Sequence, residues 1–146
     1  IAVACHLVSA QAAVHINEFM VSNPGRPQDP DALVDLDGKT PGWIELHNDS
    51  DTAVPLTGWA LSDDPAQPGK WVFAGPSAPA TTPTTVPAHG YRIVFCGGHA
   101  RNIASVEPHT DFNLDDSGVV LLSRPDGQGG WTLVSQVDRK STRLNS

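Results

Sequence analysis

Cysteine is nearly absent. Of the two present, Cys5 lies in an N-terminal apolar stretch with the look of a leader, which leaves Cys96 alone and excludes a disulfide framework. Cys96, in "RIVFC", reads as a small buried apolar residue and not as a nucleophile. Basic residues are scarce: nine Lys and Arg stand against 16 Asp and Glu, for a net charge of -7. Such a chain lacks the basic patch that a phosphate backbone demands, so no nucleic-acid partner is expected for it. There is one Met and no sustained helical period, whereas Gly and Pro number 13 each; this argues against a helical protein and for many turns. No apolar run is long enough to span a membrane. No G-x-S-x-G elbow, Walker loop or dinucleotide fingerprint occurs. The six histidines, His6, His15, His47, His89, His99 and His109, show no HxH, HxxxH or HExxH spacing, and Cys96 with His99 makes a C-x-x-H that has no second pair. No catalytic residue is assigned, and this stretch of chain is expected not to be an enzyme.

What the chain has instead is a series of short apolar runs between turn signals. Val14–Val21, Trp43–His47, Trp59–Ser62, Lys70–Ala74, Tyr91–Cys96, Val119–Ser123 and Trp131–Val137 are predicted strands, with Asp111–Leu114 of "HTDFNL" as a further short one. Seven or eight strands separated by Gly, Pro and Asp predict a sandwich or barrel, and 146 residues suit one domain. In Val14–Val21, Ile16 and Phe19 are of opposite parity, so a bulge is needed to turn both inward. Asp126-Gly127 suits the positive φ of a hairpin turn, with Gly129 and Gly130 loosening that loop. "SAPATTPTTVP", 77–87, predicts an extended, extruded loop.

The two ends read differently. Ile1–Ala12 is apolar and closes on Ala10-Gln11-Ala12, a small-x-small cleavage pattern; it is expected to be the remnant of a secretory signal, placing the protein outside the cell or on its surface. "DRKSTRLNS", 138–146, has no apolar period and matches the translation of a sequencing-adapter read, so it is expected to carry no biology. The domain is then 13–137.

"GWIELHNDSDTAVPLTGWALSDD", 42–64, repeats Gly-Trp at the head of two apolar runs. In the first, Ile44 and Leu46 face one way while Trp43, Glu45 and His47 face the other. In the second, Trp59 and Leu61 share a face, and Leu56 joins them if Gly58 marks a bulge. "NDSD" between them is a turn, and the two runs are expected to be consecutive antiparallel strands, each anchored by a large ring. The predicted core is Ile16, Phe19, Ile44, Leu46, Leu56, Trp59, Leu61, Trp71, Phe73, Ile93 and Phe95. Glu18 and Glu45 are expected at the sheet rim, with Arg92 as the partner should either be buried. Trp131, beside "GQGG", is the most exposed-looking ring.

These stretches, with "HINEFMVSN", "KWVF", "VPAHGYRIVFCGG" and "HTDFNL", resemble the lamin tail domain in its bacterial secreted form, over about 14–137. The resemblance implies an all-β, immunoglobulin-like antiparallel β-sandwich, with a final edge strand lacking where the chain stops short of the family's usual end. It implies a non-catalytic module that contacts a protein or glycan partner within an exported multidomain protein. Two alternatives stay open: an accessory domain of a secreted kinase-like or nuclease enzyme, and a calcium-stabilised adhesion domain. The calcium candidates are Asp35 and Asp37 before Gly38, in "DPDALVDLDGKTPGW". The full calcium loop fails, since Leu33 and Ile44 stand at two ligand positions, so no cofactor is assigned and these carboxylates are expected to be solvated turn residues.

Overall fold

The computed structural model describes residues 13–21, 23, 26–75, 83–99, 101–103, 107–115 and 118–138, with the backbone alone at 101–103. The leader-like stretch and all of the C-terminal tail except Asp138 lie outside the described residues. Among the described residues eleven strands follow one another: β1 Val14–Met20, β2 Gly42–Asn48, β3 Val54–Pro55, β4 Ala60–Ser62, β5 Trp71–Val72, β6 Thr85–Val86, β7 Tyr91–Cys96, β8 Arg101–Ile103, β9 Glu107–His109, β10 Val119–Pro125 and β11 Trp131–Asp138. They form a five-stranded sheet in the order β1-β2-β7-β9-β8, a four-stranded sheet β11-β10-β4-β5 and a two-stranded ribbon β3-β6. All pairs are antiparallel except β7 with β9. The described chain holds no helix, and so none that could cross a membrane. This is an immunoglobulin-like β-sandwich.

Alternation builds the inner layer. Ile16 pairs with Leu46, and Ile44 with Val94, so these side chains share one face. They meet Leu61, Trp71, Phe73, Val120 and Leu122 from the opposing side in one core cluster. Ile44, Leu46, Leu56, Leu61 and Leu122 are fully buried, each contributing about 1.5–3 kcal/mol through area removed from water. The expected bulge is present, between Ile16 and Glu18, and it brings Phe19 against the core alongside Ile16. Where β1 and β11 approach at the sandwich edge, the Ile16 amide donates to Ser135 Oγ at 3.1 Å.

The repeated Gly-Trp dipeptide has two unlike meanings. The runs that it heads are not neighbours: β2 lies in the five-stranded sheet and β4 in the other. Gly42 is needed because a Cβ there would meet the Met20 and Val21 carbonyl oxygens at 2.8 Å. Gly58 is needed for its φ of 80°, and Trp59 N–H donates to Leu56 C=O at 2.8 Å, making a glycine turn and not a bulge. Trp43 is buried on the outward face of its sheet, outside the inter-sheet cluster, whereas Trp59 is partly buried against that cluster. The indole wholly between the layers is Trp71, edge-on to Phe73 with ring centroids 4.7 Å apart.

Other expectations are corrected too. Asp111–Leu114 is not a strand; Asn113 makes an isolated bridge to Gly97. The second half of "SAPATTPTTVP" is no extruded loop: Thr84 is buried, and Thr85–Val86 forms β6 with Val86 fully enclosed. Residues 76–82 lie outside the described set. The 126–130 hairpin is not loose, because Asp126 Oδ1 accepts the Gln128 and Gly130 amides at 2.7 and 2.9 Å. Ile93 is only half-buried, since the pairing of Ile44 with Val94 gives the core-facing place to Val94. Phe95 is buried, but on the outward face beside Trp43.

Candidate functional site

Two regions of the outward face of the five-stranded sheet gather the polar side chains singled out in the sequence. The first is where the β1–β2 connection crosses to β9. Its sequence, Leu33-Val34-Asp35-Leu36, folds with the usual burial inverted: Asp35 is 5% exposed, Leu33 38%, Val34 36% and Leu36 64%. Asp35 turns inward because its Oδ1 accepts the backbone N–H groups of Asp37 at 3.0 Å and Lys39 at 2.8 Å. The Asp35 amide also donates to the Lys39 carbonyl at 2.8 Å. The two amides anchor Oδ1, while Oδ2 is buried without a hydrogen-bond partner and faces His109. Asp35 is therefore not the solvated turn carboxylate that the sequence suggests.

Beneath this loop lies His109, its side chain fully enclosed, with Nε2 at 2.9 Å from Glu107 Oε1 and 3.7 Å from Asp35 Oδ2. The imidazole stacks on Phe95 at 5.3 Å and tilts against His99 at 4.9 Å. Both Glu107 oxygens accept the Leu36 amide, at 3.1 and 3.0 Å. Asp37 approaches His99, with Oδ2 at 3.6 Å from Nε2. Asp35 and Glu107 thus flank one histidine and pin the amides of three loop residues, Leu36, Asp37 and Lys39. Among the described residues, no group of three or more His, Cys, Asp or Glu is arranged to hold a metal. The arrangement holds the loop against the sheet.

The second region is the other end of the same face. His15 pairs with His47 across β1 and β2, and His47 with Tyr91 across β2 and β7. Their rings form a ladder, with centroids 5.3 Å apart for His15 and His47 and 4.5 Å for His47 and Tyr91. "NDSD" closes this end as a turn, but a well-anchored one. Asn48 is fully buried, and its amide donates to the Thr52, Val86 and Pro87 carbonyls while its oxygen accepts from Ser50. Both of the turn's aspartates face histidines, Asp51 with His89 at 2.7 Å and Asp49 with His15 at 4.0 Å. One row inward, Glu18 lies directly opposite Glu45, and the Asn17 amide donates to Glu45 Oε1 at 2.8 Å.

The remaining sequence candidates fall elsewhere. Trp131 is half-buried, and its indole lies so close over Gly69 that a Cβ there would meet it at 2.5 Å. Arg92 pairs with neither glutamate; its guanidinium donates to the Thr85 carbonyl. Cys96 is buried in the core. Sequence reasoning missed Glu107 and His109, since a two-residue spacing on an unpredicted three-residue strand carries no chemical signature. No curated protein and no solved structure matches the chain. The family model described as Lamin Tail Domain matches residues 8–141. With the sandwich in hand and the match running over nearly the whole chain, this protein belongs to the lamin tail domain family.

Proposed function

We propose that this domain is a non-catalytic interaction module of an exported, multidomain protein, and that its protein partner docks on the loop that presents Leu33, Val34 and Leu36. The observation that carries this reading is the inverted burial of that loop. Polar anchors, Asp35 Oδ1 on two amides and Glu107 on the Leu36 amide, hold three neighbouring apolar side chains toward solvent. Contiguous exposed apolar groups on a preorganised loop are what a docking anchor requires. The Ala10-Gln11-Ala12 pattern supports export. The test places a photo-crosslinking residue at position 36 of the full-length protein in its own host. Capture of one defined extracellular partner is the expected result, absent when the probe stands at Leu133, which is also exposed. Equal, diffuse labelling from both positions would remove the reading.

A further inference from the structure

The outward face of β1 and β2 carries a histidine pair that the apolar loop does not explain. His15 and His47 stand directly opposite each other across the two strands, with their ring centroids 5.3 Å apart and their planes at 75°. That spacing is close to the bite of a metal chelated by two imidazoles. An ion held at about 2.0–2.1 Å by one nitrogen of each ring, at a tetrahedral angle, sets the ring centres roughly 5 Å apart. The surroundings steady both rings. The Asp49 amide donates to the Ala13 carbonyl at 3.0 Å, which seats its side chain beside β1, with Oδ2 at 4.0 Å from His15 Nδ1. A carboxylate on that side favours the proton on Nδ1 and leaves the Nε2 lone pair to a metal. The His47 ring is supported from its other side by Tyr91, at 4.5 Å between centroids. The His15 side chain is 40% exposed, so an ion can reach the pair. The two histidines lie on strands far apart in the chain, which is why no short His spacing announces them.

We propose that His15 and His47 together bind a divalent transition-metal ion of the class that prefers imidazole, Zn²⁺ or Cu²⁺, with Asp49 as a positioning residue behind His15. Two protein donors are fewer than a structural or catalytic zinc site takes, so water fills the remaining positions and the ion exchanges with the medium. Calcium does not suit the pair, because that hard cation takes oxygen ligands. Nothing here requires the loop at Leu36, so the two readings stand or fall separately.

The metal alone is the probe. Zinc chloride titrated into the full chain is expected to shift amide NMR signals centred on His15, His47 and Tyr91, and copper(II) to broaden the same signals at lower concentration, as the affinity order of these ions requires. His15→Ala and His47→Ala each weaken zinc about tenfold or more, since half of the protein ligand set is gone. Asp49→Asn weakens it about threefold, less than a directly hydrogen-bonded outer carboxylate would, because 4.0 Å is beyond bonding distance. His89→Ala, in the adjoining turn with Asp51 as its own partner, leaves zinc affinity as in the parent. Melting temperatures taken with EDTA give each variant its own baseline; zinc raises that of the parent and of His89→Ala, but not those of His15→Ala and His47→Ala. Unchanged zinc affinity in either the His15 or the His47 variant, shifts centred on His99 and His109, or an equal response to calcium would overturn the proposal.

Discussion

Asp35 shows how one side chain can decide what a loop presents. Its neighbours are apolar, and by hydropathy alone Leu33, Val34 and Leu36 belong inside. The carboxylate wins because its Oδ1 satisfies two backbone amides that no apolar residue could satisfy, and an unmet buried donor costs about 1–3 kcal/mol. Asp35→Ala is therefore expected to destabilise the domain by about 1–3 kcal/mol and to lower its melting temperature by several degrees in a thermal scan. Asp31→Ala, at an exposed position of the same loop, should stay within about 0.5 kcal/mol of the parent. Equal losses from the two would show that the loop is not held by Asp35. From sequence the acidity of this stretch is plain. Its inward turn is not, because the groups that favour it are backbone amides and a glutamate 71 residues away.

The stringent local requirements fall at a strand's first residue and in the turns. Gly42 and Gly58 occupy the same dipeptide but resist substitution for different reasons. Gly58→Ala puts a side chain at a φ of 80°, for which about 1–2 kcal/mol is expected. Gly42→Ala meets two backbone oxygens that cannot step aside, so β1 and β2 must separate. Urea unfolding of both variants should show a larger loss at position 42. The β10–β11 hairpin makes a pH prediction. Backbone N–H donation from Gln128, then Gly130, holds the Asp126 carboxyl below its ordinary value of 3.8. A carboxyl depressed on folding stabilises the native state at pH values above its unfolded pKa, and that contribution fades as pH falls through the folded one. Asp126→Asn should flatten the acid limb of the stability–pH curve below about pH 4 and leave the neutral and alkaline limbs parallel to those of the parent. A parallel acid limb would show that the turn bonds do not depend on its charge.

At the scale of the whole molecule, two sheets close over one apolar cluster, and the chemistry-bearing residues lie on the outward face of the larger sheet. Asp35 Oδ1 is taken up by two amides, its Oδ2 is buried, and Asp37 lies beside His99, so the described residues offer calcium no ready group of ligands. Millimolar calcium is accordingly expected to leave the melting temperature of the full chain unchanged. A rise that is lost in Asp37→Ala would instead assign a calcium site, since a ligand binding only the native state must stabilise it.

The alternation of Val14–Met20 and Gly42–Asn48, the hairpin at Asp126 and the family motifs around Trp43 and Trp59 determine an all-β sandwich, because period and turn chemistry are local. β3, β6, β8 and β9 are too short to show a period and, unlike the equally short β4 and β5, do not begin at or next to a tryptophan, so they are not legible. Nor was the face of Tyr91–Cys96, where apolar side chains on both parities leave Ile93 and Val94 indistinguishable. Only pairing decided it: Ile44 stands opposite Val94, and the core lies on that side. The same holds for the two Gly-Trp pairs, alike in sequence and assigned to different sheets. Contacts that join residues far apart in the chain, Asp35 with His109 or Glu45 with Asn17, exist only once the strands have taken their register, because no local pattern brings their side chains together.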